Sequence, residues 1–119
     1  MSKILLVDNS KDLRETLSTL LTMKGYKVEI AHEQDDILKR IQEALPDLVL
    51  LHVGLEDVDG RQICQAISRQ FGQNIPVILT SGDYKLLTYY QEYGAIDFLE
   101  KPYEFSLLLN KLDKAFSKQ

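Results

Sequence analysis

Five short apolar runs, each followed by a stretch with helical spacing, constrain this chain more than any other feature. Ile4-Leu5-Leu6-Val7, Leu48 to Leu51 and Ile75-Pro76-Val77-Ile78-Leu79 are nearly continuous apolar runs. That is the signature of a strand covered on both faces. Ile96 to Leu99 reads as a shorter strand. Tyr26 to Ile30 alternates instead, which places it nearer a sheet edge. Between these runs, Leu13, Leu17, Leu20 and Leu21 recur at helical spacing. So do Ile37, Leu38, Ile41, Ala44 and Leu45, then Ile63, Cys64, Ala66 and Ile67, and finally Phe105, Leu108, Leu109, Leu112 and Phe116. Tyr84 to Tyr93 predicts a short, weakly apolar helix. Asp8-Asn9-Ser10 offers a helix cap, and Gly25, Pro46, Gly72 and Gly94 supply stops.

Strands and helices alternating with short connections predict an α/β fold, a parallel sheet with helices on both faces. A length of 119 residues suits one domain over 1–119, with no separate output domain expected. Hydrophobic residues make up 45 % of the chain, enough for a core. The net charge of −4 argues against a duplex nucleic acid as partner. The single cysteine, Cys64, reads as a small buried residue on a helix. No apolar run approaches the roughly 18 residues a bilayer span needs. Met1-Ser2-Lys3 runs into a strand without a signal-peptide pattern, so a cytoplasmic location is expected.

In sheets of this kind function gathers beyond the C-terminal ends of the strands. That rule singles out Asp8, Asn9, His52, Thr80 and Lys101. The segments around them run in a characteristic order: Ile4 to Asn9, then Pro46-Asp47-Leu48-Val49-Leu50-Leu51-His52, then Asp59-Gly60. Pro76 to Ser81 and Gly94-Ala95-Ile96-Asp97-Phe98-Leu99-Glu100-Lys101-Pro102 complete it. In this order and spacing the whole chain resembles the response-regulator receiver domain of two-component phosphorelay signalling. The resemblance implies a flavodoxin-like (βα)5 domain with sheet order 2-1-3-4-5. It implies acidic-pocket positions at Asp8 and Asn9, a phosphoacceptor position at His52 and a metal-binding backbone carbonyl at Gly54. It also implies a phosphate-contacting hydroxyl at Thr80, a switch aromatic at Phe98, a pairing lysine at Lys101 and a cis Lys101–Pro102 bond.

Two of these positions depart from the family pattern, and the departures change the chemistry. The family's acceptor is an aspartate, but His52 offers an imidazole, which cannot form an acyl phosphate and is a poor ligand for Mg²⁺. Asn9 removes a second carboxylate. Three aspartates and a lysine would carry two net negative charges for a divalent cation to neutralise. Asp8, Asn9, neutral His52 and Lys101 carry none. The expectation is therefore a degenerate pseudo-receiver: a non-enzymatic module with no metal expected and no phosphate at the usual position. His52 is expected to fill the pocket against Asp8 or Lys101, or, if protonated, to supply positive charge beside Asp8. The alternatives are a phosphorelay protein with an unusual acceptor, an engineered substitution, and a flavodoxin-like nucleotide or flavin binder. The acidic loop Asp8-Asn9-Ser10-Lys11-Asp12 has no glycine and disfavours the last.

Output would then pass through the surface, to a protein partner such as a histidine kinase or an output protein, or to a second copy. Five of the six tyrosines, Tyr84, Tyr89, Tyr90, Tyr93 and Tyr103, fall in the stretch that the resemblance places on the family's fourth helix, fifth strand and fifth helix. Tyrosine suits an interface because it buries area behind a polar tip.

Overall fold

A computed structural model describes residues 2–32 and 35–117. Five strands, β1 (Lys3–Val7), β2 (Lys27–Ala31), β3 (Leu48–His52), β4 (Val77–Ser81) and β5 (Asp97–Glu100), form one parallel sheet of order 2-1-3-4-5. Four α-helices connect or follow them: α1 (Lys11–Met23), α2 (Ile37–Ala44), α3 (Gly60–Phe71) and α4 (Phe105–Ser117). This is the flavodoxin-like arrangement of strands expected from the sequence. β2 lies at an edge, as its alternation indicates.

The strand register divides the core into two layers. Leu5 and Val7, Val49 and Leu51, and Val77 and Leu79 face α2 and α3, where Ile37, Ile41, Cys64 and Ile67 meet them. Ile4 and Leu6, Leu48 and Leu50, and Ile78 face α1 and α4, where Leu17, Leu21, Leu108 and Leu112 meet them. The continuous apolar runs follow from this: successive residues point to opposite faces, and both faces are covered. Capping is local. Ser10, Asp36 and Asp59 each accept a hydrogen bond from a backbone N–H in the first turn of the helix they precede.

The helix expected between Tyr84 and Tyr93 is not formed. The segment is instead two 3₁₀ turns, Tyr84–Leu87 and Tyr90–Tyr93. Leu87 is fully buried and Tyr90 packs on the core, whereas Lys85, Thr88, Tyr89, Gln91 and Glu92 are exposed. Ten residues without a continuous apolar stripe are too few to hold an α-helix by propensity. Core anchoring of Leu87 and Tyr90 therefore sets the path, and Tyr89, at φ −107° and ψ 35°, breaks it in two.

One glycine is dictated by a close approach. A Cβ at Gly60 would overlap the backbone carbonyl of His52. The start of α3 therefore packs directly against the end of β3, and the loop between them is closed by a bridge between Gly54 and Asp59.

Candidate functional site

The C-terminal ends of β1, β3, β4 and β5 bring Asp8, His52, Thr80 and Lys101 into one pocket. Asp8 leaves β1 almost wholly buried. A buried carboxylate needs donors, and it has them on both oxygens. Ser10 N–H donates to Oδ1 at 2.9 Å, and Lys101 Nζ donates to Oδ2 at 2.6 Å. The Asp8 backbone carbonyl also accepts from Arg14 Nη1 at 2.6 Å. The Lys101–Pro102 peptide is cis, as expected.

Asn9 and Gly54 lie at the pocket rim and meet each other. The Asn9 side-chain amide donates to the Gly54 carbonyl at 3.3 Å. His52 closes β3 between them and Thr80. Its Nδ1 lies 3.5 Å from Thr80 Oγ1. Its Nε2 lies against Gly54, 3.2 Å from where a Cβ would stand. The expected contact of His52 with Asp8 or Lys101 gives way to this one, because Asp8 and Lys101 bond directly to each other. Burial holds the imidazole pKa below its ordinary 6.5, and the nearby Lys101 ammonium adds to the effect. Asp8 and the Thr80 backbone oppose it. The imidazole is therefore neutral at neutral pH, and the positive charge beside Asp8 belongs to Lys101. Among the described residues, no three His, Cys, Asp or Glu side chains converge as a metal-binding group.

Phe98 stands on β5 beside the pocket strand, with Leu79 opposite. Its ring packs against Tyr90, with centroids 4.9 Å apart, and against Tyr84 in an edge-on arrangement at 6.2 Å. The five tyrosines do not form one uniform face. Tyr84 and Tyr89 are more than half exposed. Tyr90 is half-buried on Phe98, and Tyr93 lies under the Arg61 guanidinium, 5.4 Å from it. Tyr103 turns inward. Its hydroxyl is buried without a hydrogen-bond partner among the described residues, and burial plus the Asp8 charge push its pKa up to about 12.

Arg14 and Tyr103 are the residues of this site that the sequence reading did not single out as pocket members. Arg14 sits in the second turn of α1 with no motif around it, and only the entry of that helix beside β1 aims it at the Asp8 carbonyl. Tyr103 follows Pro102, whose turn carries the ring back beneath α1, where it shares a groove wall with Leu13 and Leu17.

Comparison with known proteins agrees with this geometry. The sequence model of the family described as "Response regulator receiver domain" matches residues 4–113. The chain is 34 % identical over 114 residues to the CAI-1 autoinducer sensor kinase/phosphatase CqsS of Vibrio cholerae, covering 92 % of this chain and 17 % of that protein. It is 33 % identical over 112 residues to the response regulator MprA of Mycobacterium ulcerans, covering 92 % of this chain and 48 % of that protein. It thus spans less than half the length of either relative. The receiver domain of NtrX from Brucella abortus superposes with a TM-score of 0.89 at 28 % identity, covering 98 % of this chain and 99 % of that one. The chemotaxis response regulator CheY4 of Vibrio cholerae superposes at 0.86 with 26 % identity, covering 97 % of this chain and 98 % of that one. Sheet order, pocket and sequence match converge: the chain belongs to the response-regulator receiver-domain family of two-component signalling.

Proposed function

We propose that this chain is a pseudo-receiver. It would act in two-component signalling through protein contact, without aspartyl phosphorylation at position 52 and without a resident Mg²⁺. Receiver domains commonly bind Mg²⁺ beside the acceptor. Here the groups that would hold it are already engaged by donors from the chain itself. The observation that carries the reading is the Lys101 Nζ to Asp8 Oδ2 bond of 2.6 Å. It balances the one carboxylate left among the pocket positions, where the family pattern would leave two further negative charges for a divalent ion to offset. The Asn9 amide on the Gly54 carbonyl at 3.3 Å satisfies a second ligand position with a hydrogen. A neutral imidazole stands at the third, and Mg²⁺, a hard cation, prefers oxygen. With Asp8 and Lys101 cancelling, the pocket has little residual charge to attract a cation or to be relieved by one.

The experiment is a titration with beryllofluoride and Mg²⁺ followed by amide NMR. The wild type is expected to show no shifts around Thr80 and Phe98. His52→Asp combined with Asn9→Asp, which restores both carboxylates, is expected to respond, and His52→Asp alone to respond weakly. Large shifts in the wild type would overturn the proposal. The partner we propose is a protein of the signalling pathway, a kinase or an output protein, docking on the exposed surface that includes Tyr84 and Tyr89. No catalytic step is assigned to the chain.

A further inference from the structure

At Phe98 the outer edge of β5 is covered by side chains drawn from both sides of the sheet. β5 is an edge strand, bonded among the described residues only to β4. Lys101 N–H donates inward to the Ser81 carbonyl at 2.8 Å. Backbone groups alternate in direction along a strand, so Leu99 also faces β4, while Phe98 and the terminal Glu100 face away from it. The outward N–H and C=O of Phe98 would be an open template, yet both are taken. Its N–H donates to Asp97 Oδ1 at 2.8 Å, and its C=O accepts from Lys111 Nζ at 2.6 Å. The same ammonium lies 2.7 Å from Asp97 Oδ1 and 4.7 Å from the Phe98 ring centroid. Lys111 starts from α4 on one face of the sheet, while Tyr84 and Tyr90 hold the ring from the segment on the other. The lysine therefore wraps the edge and pins Phe98 by backbone and by ring.

We infer that Asp97 and Lys111 form a staple that covers the outward groups of Phe98, the midpoint of the β5 edge, against pairing with a second copy of this chain. An unpaired edge invites another strand unless side chains block it. A second copy fits this edge by symmetry. Antiparallel pairing centred on Phe98 would exchange its N–H and C=O reciprocally across a two-fold axis. Ile96 and Leu107, both 44 % exposed, line the grooves on either side of Lys111 and would be covered in such a pair. The staple is separate from the Asp8 pocket, so this inference stands whether or not the pocket takes phosphate.

The test is Lys111→Met, which keeps the stem and removes the charge, with Lys111→Arg as the conservative control. Sedimentation equilibrium should show K111M self-associating at least about tenfold more strongly than the wild type. Mixed isotope-labelled copies should show an intermolecular contact at the Phe98 amide, and K111R should behave as the wild type. If K111M fails to fold, Asp97→Ala carries the same expectation, since it frees the Phe98 N–H and leaves Lys111 without its carboxylate. Self-association no stronger than wild type overturns the inference. So does a K111R that associates as K111M does, or an added association that leaves Phe98 out of the contact.

Discussion

His52 is held toward its neutral form because partial burial and the Lys101 charge outweigh the pull of Asp8. Its pKa is lowered first by burial, second by Lys101, and the attraction of Asp8 does not offset them. The folded state thus releases its proton at a lower pH than the unfolded chain, whose value lies near 6.5. Between those two values the unfolded state binds more protons, so stability rises with pH through that window. The His52 contribution is fully present above 6.5 and is lost as pH falls toward the folded value. His52→Asn removes this titration. Urea midpoints compared at about pH 7.5 and about pH 5.5 should fall with acid more in the wild type than in the variant. Equal acid losses in both would show that His52 is not held neutral. At the same scale, the sequence named the pocket members but not their pairings. Asp8 and Lys101 lie 93 positions apart, and only the strand ends bring them to 2.6 Å.

The segment from Tyr84 to Tyr93 is the element whose form the sequence did not predict. Its tyrosines and Leu86-Leu87 read as a helical patch, but burial is unevenly divided among them. Leu87 is 1 % exposed and anchors the segment from within a 3₁₀ turn. Leu87→Ala should therefore cost about 2–5 kcal/mol, the range for emptying a packed leucine site, although the residue is in no α-helix. Chemical denaturation measures this loss. A cost below about 1 kcal/mol would mean that the site collapses around the missing side chain. The strands and the four helices were legible because each carries its own period and its own stop. Gly60 was legible only as part of Asp59-Gly60. Its reason, the His52 carbonyl directly behind it, is a contact across the sheet end.

At the scale of the molecule, the pocket and the aromatic surface are joined through β4 and β5. Thr80 pairs with His52 across β3 and β4, and Phe98 lies opposite Leu79, one residue earlier on β4, across β4 and β5. Tyr84 meets the Phe98 ring edge-on, and Tyr84 and Tyr89 both keep more than half their surface exposed. Replacing both by serine should leave the unfolding midpoint nearly unchanged, within about 0.5 kcal/mol as for ordinary surface positions. The same change should weaken capture of the signalling partner, measured by pull-down with a candidate kinase or output protein. An unaltered pull-down would move the docking surface elsewhere on the domain. Tyr93 and Tyr103 are poorer probes of that contact, since one is covered by Arg61 and the other carries a buried hydroxyl.

By itself the sequence determined the fold class, the sheet order through its resemblance, and the set of residues that meet at the strand ends. The fold class follows from local periodicity, the strand-end positions from where the strands stop, and the sheet order from the family resemblance that the short motifs carry. Tertiary structure alone decided that Lys101 bonds Asp8, that Asn9 bonds the Gly54 carbonyl, and that His52 turns to Thr80 and stays neutral. It alone placed Arg14 and Tyr103 at the pocket and wrapped Lys111 around the β5 edge. Each of these depends on distances between side chains far apart in the chain and on how much water the packing excludes, and neither quantity is written in local pattern.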